Sequence, residues 1–518
     1  MALPDYFERN AQAAAALIQG FDASALASLL EKEVIGVAVD SSVEASAEAR
    51  CAVDLTLRLL SRLYPTLAIF GAPGVRSEYL ASLTGLALAI NPKIDLLSTL
   101  TSATKLLVFG QSVMKGRTRA KKHTWYVGSD NWVMRLSQSA PVRSGNSTNP
   151  LGAGAAACVA AANVFRAVFV SELGGATLDS ELSFSLLTMR PATGQGHNPV
   201  LGDVQLDDVH LVGAGAIGNG ALLALSRMPC QGSLHIIDHE KLSDTNHQRY
   251  VMLTAADRAA EKAVLAVSWF KREGLTVTAH VSDWASHIVT VPEYKVGTVL
   301  SAVDTANARI QIQASLPRTI YNAWTQRGEA GVSRHQFLGG MACLACIYLP
   351  RATTTNEDVL VLRALRLPED EPTKMEVRRR LQKQEPTDLA FLGRIATAAG
   401  LAIEKILPFE NRPLRDLYVE GVCGGRVMEF HQAALRVKAE VPIGFQSALA
   451  GVLLAAELAR PVALGHTVTQ IDMLGTFPER PGRAQAKTES PPCFCLDQDF
   501  IDIYREKYLV ARPSGATA

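Results

Sequence analysis

The chain has 518 residues, too many for a single hydrophobic core, so two or three domains are expected. Its 51 Lys plus Arg nearly balance 50 Asp plus Glu, which excludes a global field suited to nucleic acid or an anionic membrane. Apolar residues make up 48% and aromatics only 6%, the balance of a helix-rich α/β protein.

The N-terminus, MALPDYFERN, carries charge where a secretory leader needs an apolar run, so a cytoplasmic location is expected. Arg9 lies in an expected first helix. Val34–Val39, Leu67–Phe70 and Leu106–Phe109 read as strands. The basic run Lys115–Lys122 (KGRTRAKK) reads as a solvated loop, and the alternative is a docking site for an acidic partner. A β-like stretch, Trp125–Leu136, and a long apolar helix from Leu151 follow. The polar stretch Thr193–Gly202, with its glycines and proline, reads as a linker.

Beyond it the order recurs. Strands are expected at Val209–Val212, Leu234–Asp238 and Val299–Val303, a helix over Ala255–Phe270, and a β-like stretch over Thr319–Leu338. The closing apolar helix VPIGFQSALAGVLLAAELAR begins like the first, Pro-Ile-Gly against Pro-Leu-Gly. The apolar segments Leu151–Val170 and Val441–Leu458 contain Asn163, Arg166, Gln446 and Glu457, which suits buried helices better than membrane spans. The fold expected is α/β: two Rossmann-type domains with mostly parallel sheets, related by internal duplication. Residues 1–192 form the first half and 203–518 the second, with an insert at 351–426 over the site of the second. The charged run EDEPTKMEVRRRLQKQE in that insert reads as a solvated helix.

The two halves differ where a phosphate would bind. After VIGVAV the first half continues DSSVEAS, with no glycine to let backbone approach an anion, so no nucleotide is expected there. The second half reads VHLVGAGAIGNG. Gly213, Gly215 and Gly218 allow a tight turn, and the helix that follows offers free N–H groups. Asp238 stands where a ribose-binding carboxylate belongs. Arg249, Lys262 and the strand-end Asp304 then supply two cations and a carboxylate, a set suited to a triphosphate with Mg²⁺. A dinucleotide's pyrophosphate needs none of them. Read singly, each has a plain alternative: surface cations and a helix-capping aspartate.

The series GAGAIG, IIDHE, NHQR, Lys262 and VDTANAR resembles the adenylating domain of the ThiF, MoeB and ubiquitin-activating enzyme superfamily. The resemblance runs from about Asp203 to the C-terminus and departs at Glu240, in place of a second acid, and at Thr305, in place of asparagine. It implies that ATP is the cofactor, that Asp238, Asn246, Arg249, Lys262, Asp304 and Arg309 are the matching positions, and that Asn246 and Arg249 grip phosphates. A protein's C-terminal carboxylate then attacks the α-phosphate without a general base. It also implies that the halves pack as an intrachain pseudodimer, with an arginine such as Arg9 reaching across. The layout looks like the shorter ubiquitin-activating enzymes of bacterial ubiquitin-like conjugation operons, some of them antiviral.

Four of the eight cysteines, Cys343, Cys346, Cys493 and Cys495, form a CxxC and a CxC that can enclose a structural Zn²⁺; the alternative is four buried free thiols. Family members similarly place one CxxC after the central β-like region and a second pair near the end; the second pair here departs from them, with one intervening residue instead of two. Cys423, in YVEGVCGGRV, matches the position of the family's nucleophilic cysteine, with Arg426 beside it to favour the thiolate. A cysteine in an inert glycine turn is the alternative. The partners so implied are a ubiquitin-like protein ending in glycine and a conjugating-type enzyme, with no nucleic acid and no membrane. Two other readings stay open: adenylation of a sulfur carrier or peptide without thioester transfer, and a nucleotide-binding scaffold or NAD-linked oxidoreductase.

Overall fold

The computed structural model describes residues 23–114, 119–120, 123–171, 173, 177–192, 196–326, 328–349, 357–418, 443–460, 468–473, 485–489 and 493–509. Arg9, Cys423 and most of Lys115–Lys122 lie outside them. The chain divides into two compact units, residues 1–349 with 442–518, and residues 350–441.

The larger unit holds two sheets. The first contains β1 (Ile35–Val39), β2 (Thr66–Gly71), β3 (Asp95–Leu97), β4 (Lys105–Phe109), β5 (Thr124–Asp130), β6 (Val133–Ser137), β7 (Glu181–Ser185) and β8 (Arg190–Pro191). The second contains β9 (Val204–Val212), β10 (Cys230–Ile237), β11 (Leu275–His280), β12 (Thr298–Ser301), β13 (Thr319–Gln326), β14 (Glu329–His335) and β15 (Val468–Asp472). Their orders are β3-β2-β1-β4-β5-β6-β7-β8 and β11-β10-β9-β12-β13-β14-β15. Counted from its own first strand, each sheet therefore runs 3-2-1-4-5-6-7, and the first adds an eighth strand at its edge. Each is also parallel through five strands and antiparallel beyond, at β5–β6 and at β13–β14. The two sheets thus share one plan, which the sequence displays only faintly. Central strands such as IGVAV are buried at every residue, as parallel strands covered on both faces must be.

Each half contributes two helices to a common interior: α1 (Ala47–Leu63) and α2 (Leu151–Val168) from the first, α3 (Ala216–Arg227) and α4 (Gly444–Ala459) from the second. All of α2 is buried, so its apolar length is that of a core helix. Between α3 and α4 the backbones touch. A Cβ on Gly451 would lie 2.3 Å from the Ile217 carbonyl oxygen, and one on Gly220 2.7 Å from that of Ala448. Across the halves, Phe165 of α2 packs on Phe445 of α4 with ring centroids 5.6 Å apart.

The halves are also joined by charge. Arg62 of α1 is 2% exposed. Its guanidinium donates to the carbonyl oxygens of His247 (3.0 Å), Tyr250 (2.9 Å) and Leu253, all in the second half. Arg58 donates to Val251 O at 3.1 Å, and Arg227 pairs with Asp54 in return.

Two local expectations change. The helix expected over Ala255–Phe270 is only Lys262–Val267: Ala259 has φ +53°, and Glu261 is extended and bridged to Lys241. Strand β12 ends at Ser301, so Asp304 lies in the loop beyond it. The β-like stretches Trp125–Leu136 and Thr319–Leu338 each contain an antiparallel hairpin. In the first half, Asp40 follows β1 and accepts from the N–H groups of Ser42, Gln111 and Ser112 at 3.0, 2.6 and 2.7 Å. Gly110 is required beside it, since a Cβ there would lie 2.2 Å from Asp40 Oδ1.

The smaller unit is helical. Helices Glu357–Ala364, Glu371–Lys383 and Leu389–Ala399 close on Val361, Leu365, Val377, Phe391, Ile395 and Phe409. The charged run supplies the middle helix, which buries only Val377 and Arg380; Arg380 pairs with Glu376 and Asp388.

Arg62→Ala would leave several buried carbonyls without a donor, at about 1–3 kcal/mol each. Amides of residues 244–253 are expected to lose hydrogen-exchange protection by about 2–4 kcal/mol, more than those of β9 to β12. Equal protection in both segments would show that Arg62 is not what holds the loop.

Candidate nucleotide site and cysteine cluster

The three glycines after β9 have separate physical jobs. Gly213 has φ +94°, and a Cβ there would crowd the Ala302 carbonyl at 2.9 Å, so it makes the turn against the end of β12. A Cβ on Gly218 would sit 2.1 Å from Gly213 O, so this glycine lets α3 approach the turn. At Gly215 the only atom near a Cβ, among the described residues, would be Tyr250 Oη, at 3.5 Å. Backbone is thus left open at the N-cap of α3, where free N–H groups favour an anion.

Asp238 follows β10 and is 8% exposed. It accepts from the N–H groups of Ala214 at 2.7 Å and Glu240 at 2.8 Å, tying the turn to the second strand. Burial raises its pKa, against the pull of the Lys262 ammonium and the two amides. Asn246 sits in a single 3₁₀ turn, Asp244–Gln248, where it accepts from the Ser243 N–H at 3.0 Å in a capping box. This turn carries Arg249 at its end, and the carbonyls just beyond are those that Arg62 holds.

Tyr250 organises the cations. It is 4% exposed, with the Arg249 guanidinium 5.9 Å and the Lys262 ammonium 5.4 Å from its ring centroid. Lys262 opens its short helix and pairs with Glu240. Burial works against the ammonium, but Tyr250, Glu240 and Asp238 together raise its pKa above the usual lysine value. Asp304 is exposed, and among the described residues no hydrogen bond or ion pair engages its carboxylate. It does not cap the next helix, Ala306–Ala314: Thr305 does, accepting from the Ala308 N–H at 3.1 Å. Arg309 is buried and spent on structure, bonded to Asn322 Oδ1 at 2.9 Å and to the Thr305 and Ala323 carbonyls, with Tyr348 under its guanidinium.

Motif reading alone did not find Tyr250 or Arg62. Tyr250 directly follows Arg249, so a signal was present, but an aromatic at that place reads as core. Arg62 is nearly two hundred residues away in sequence and carries no motif. His247 and His335 are buried and bonded to backbone and serine oxygens.

The cysteine cluster is assembled as well. Cys343 and Cys346 flank the start of a short helix, and Cys493 and Cys495 approach from the C-terminal segment. The Sγ separations are 3.8 Å for Cys343–Cys346, 3.5 Å for Cys343–Cys493 and 3.5 Å for Cys346–Cys495. All four are buried, and their sulfurs lie within 4.8 Å of one another. Zn–S bonds of about 2.3 Å in a tetrahedron separate sulfurs by about 3.8 Å, so the four fit a zinc ion. They pack with Phe337, Ala342, Leu316 and Tyr504, so a metal there would tie the C-terminal helix Gln498–Tyr508 to the segment after β14.

Comparison with known proteins adds four findings. A protein of Sinorhizobium fredii (strain NBRC 101917 / NGR234), described as "Uncharacterized protein y4jF", is 40% identical over 513 residues, 98% of both chains. Structures of E. coli MccB with MccA-N7isoASN and with ATP are each 13% identical, with TM-scores of 0.33 and 0.28. They cover 55% and 56% of this chain, which spans 66% and 65% of theirs, just under two thirds. The family model for Prokaryotic E2 family C matches residues 38–170. The ThiF family model matches residues 202–476, more than half of the chain, and the protein therefore belongs to the ThiF family, within the superfamily of ThiF, MoeB and E1-like enzymes.

Proposed function

We propose that this chain uses ATP and Mg²⁺ to adenylate the C-terminal carboxylate of a ubiquitin-like protein, takes the acyl group onto Cys423 and passes it to a conjugating-type enzyme. Membership of the ThiF family supports adenylation and ATP binding. The Prokaryotic E2 family C match supports an E2-like partner. The observation that carries the reading is the pair of cations on the Tyr250 ring beside the open Gly215 backbone. That arrangement places positive charge at a helix N-terminus, where a triphosphate tail needs it and a nicotinamide does not.

In this reading a carboxylate oxygen of the partner attacks the α-phosphorus of ATP, the bond to pyrophosphate breaks, and pyrophosphate leaves. Arg249 and Lys262 neutralise the charge that builds on the leaving group. Asn246, whose amide oxygen caps its own turn, keeps its NH₂ for a phosphate oxygen. Asp304, with Thr305 taking over the capping role, has its carboxylate left for Mg²⁺, which would screen the phosphates. The Cys423 thiolate then attacks the acyl carbon and AMP leaves. The first half binds no nucleotide in this reading: Asp40 already takes the amides at the end of β1, and no glycine turn follows. It acts instead as the fixed wall against which Arg249 is set.

Arg249→Ala and Asp304→Asn should each lower partner-dependent ATP–pyrophosphate exchange by about 100-fold or more, the size of effect seen when one preorganised charge contact is removed. Exchange within a few-fold of the parent would remove both residues from the site. Cys423→Ala should retain exchange while the thiol-reducible protein adduct disappears. Exchange with no adduct in the unmutated protein would instead indicate adenylation without thioester transfer. For the cysteine cluster, Cys343→Ser or Cys493→Ser should release one zinc per chain and lower Tm, because burial of an incomplete ligand set removes the tether on the C-terminal helix. Unchanged zinc content would assign the cluster to four free thiols.

A further inference from the structure

On the opposite face of the second sheet from α3 lies a group that the adenylation chemistry does not use. Strands β9 and β10 pair with His210 opposite His235, and β11 ends on His280. The short helix Trp284–Ile288 brings His287 over them. Asp208, two residues before His210, has φ +57° and folds its carboxylate between the rings. Its oxygens lie 3.2 Å from His210 Nε2 and 3.0 Å from His235 Nε2. The three donor atoms of Asp208, His210 and His235 are within 4.8 Å of one another.

We propose that Asp208, His210 and His235 form a second divalent-metal site, of the two-histidine, one-carboxylate type, that takes Zn²⁺ with water in the remaining position. The ring nitrogens of the two histidines point to an ion. His210 is 2% exposed, so its nitrogens need partners. Its Nδ1 has one, His287 Nε2 at 3.0 Å. Among the described residues its Nε2 has no well-aligned hydrogen-bond partner: the nearest acceptor, Asp208 Oδ2, is 3.2 Å away and off line. A hydrogen-bonded core histidine would be aligned. A lone pair directed at an ion held jointly with the carboxylate does not have to be.

The second nitrogen of each ring supports the same conclusion. His235 Nδ1 meets His280 Nε2 at 2.9 Å, as His210 Nδ1 meets His287. Both Nε2 atoms can therefore be unprotonated, with Nδ1–H donating outward to a second imidazole. This is the arrangement that fixes the tautomer of metal-bound histidine. Ligand bonds of about 2.0–2.1 Å in a tetrahedron place donor atoms about 3.3–3.4 Å apart; the gaps of 3.2 and 3.0 Å from Asp208 to the two ring nitrogens are close to this, and the stacked rings, with centroids 4.7 Å apart, must tilt toward each other to close on one ion. Access is available too. The side chains of Asp208 and His235 are 50% and 24% exposed, which leaves a route for the ion and room for water.

The test uses the full chain and Zn²⁺ or Co²⁺ alone. After chelation, the parent should take up two metal ions per chain, of two spectral kinds. Co²⁺ in the cysteine cluster gives an intense near-ultraviolet thiolate band; Co²⁺ at the histidine site gives none. Asp208→Asn with His235→Gln should lose the second kind and keep the first, with an unchanged melting curve in the absence of metal. His287→Gln, which removes only an outward partner, should weaken that uptake by about 10- to 100-fold. Should the double variant fail to fold, X-ray absorption on zinc-loaded parent decides the matter: mixed nitrogen, oxygen and sulfur neighbours support the site, and sulfur alone overturns it. Equal metal uptake by the parent and the folded double variant also overturns it.

Discussion

The site depends on an arginine that belongs to the other half of the molecule. Arg62 takes a guanidinium out of water and meets it with backbone carbonyls from one short loop, residues 247–253. A charge so buried is costly unless its hydrogens are satisfied, and those carbonyls are equally costly without donors. Each side therefore requires the other. The loop between them is the one that presents Asn246, Arg249 and Tyr250. The first half, which has no phosphate turn of its own, is in this way necessary to the geometry of the second.

This contact needs the halves to sit face to face, and the glycines of the central helices permit it. Gly220 and Gly451 let α3 and α4 touch backbone to backbone, which draws α4 inward to meet α2. A methyl group at either glycine would force the helices apart. The shared strand order of the two sheets then has a physical meaning: each half buries a pair of helices against the other. The halves differ after their first strands. At the end of β1 an aspartate accepts the local amides. At the end of β9 a glycine turn leads into α3, and Asp238 of the next strand holds the Ala214 N–H.

Much of the site was legible because its residues are local. The strand, the glycine turn and the helix lie within one short stretch, so spacing alone marks Gly213, Gly215 and Gly218 as a turn, and only the packing around each separates their roles. Asp238 follows at a fixed distance because one helix and one strand intervene. Asp304 was legible as a strand-end acid, although β12 stops earlier than its apolar pattern, at Ser301. The helix around Lys262 was overdrawn because Ala259 adopts a positive φ that composition does not reveal. The cysteines were legible as pairs, and their joining was an inference across some 150 intervening residues that the folded chain realises.

What the sequence determined by itself is the chemistry available: a phosphate turn, a strand-end acid, cations within a few residues, paired thiols, and two apolar helices that start alike. These are set by short-range stereochemistry and by the period of apolar residues, which a linear chain displays directly. What only the tertiary structure decided is which groups share a volume. Arg62 over the 247–253 loop, Tyr250 beneath two cations, and Asp208 with His210 and His235 all come from strand register and helix packing. Register is fixed by burial of whole faces, a property of the closed core, and no single stretch of sequence contains it.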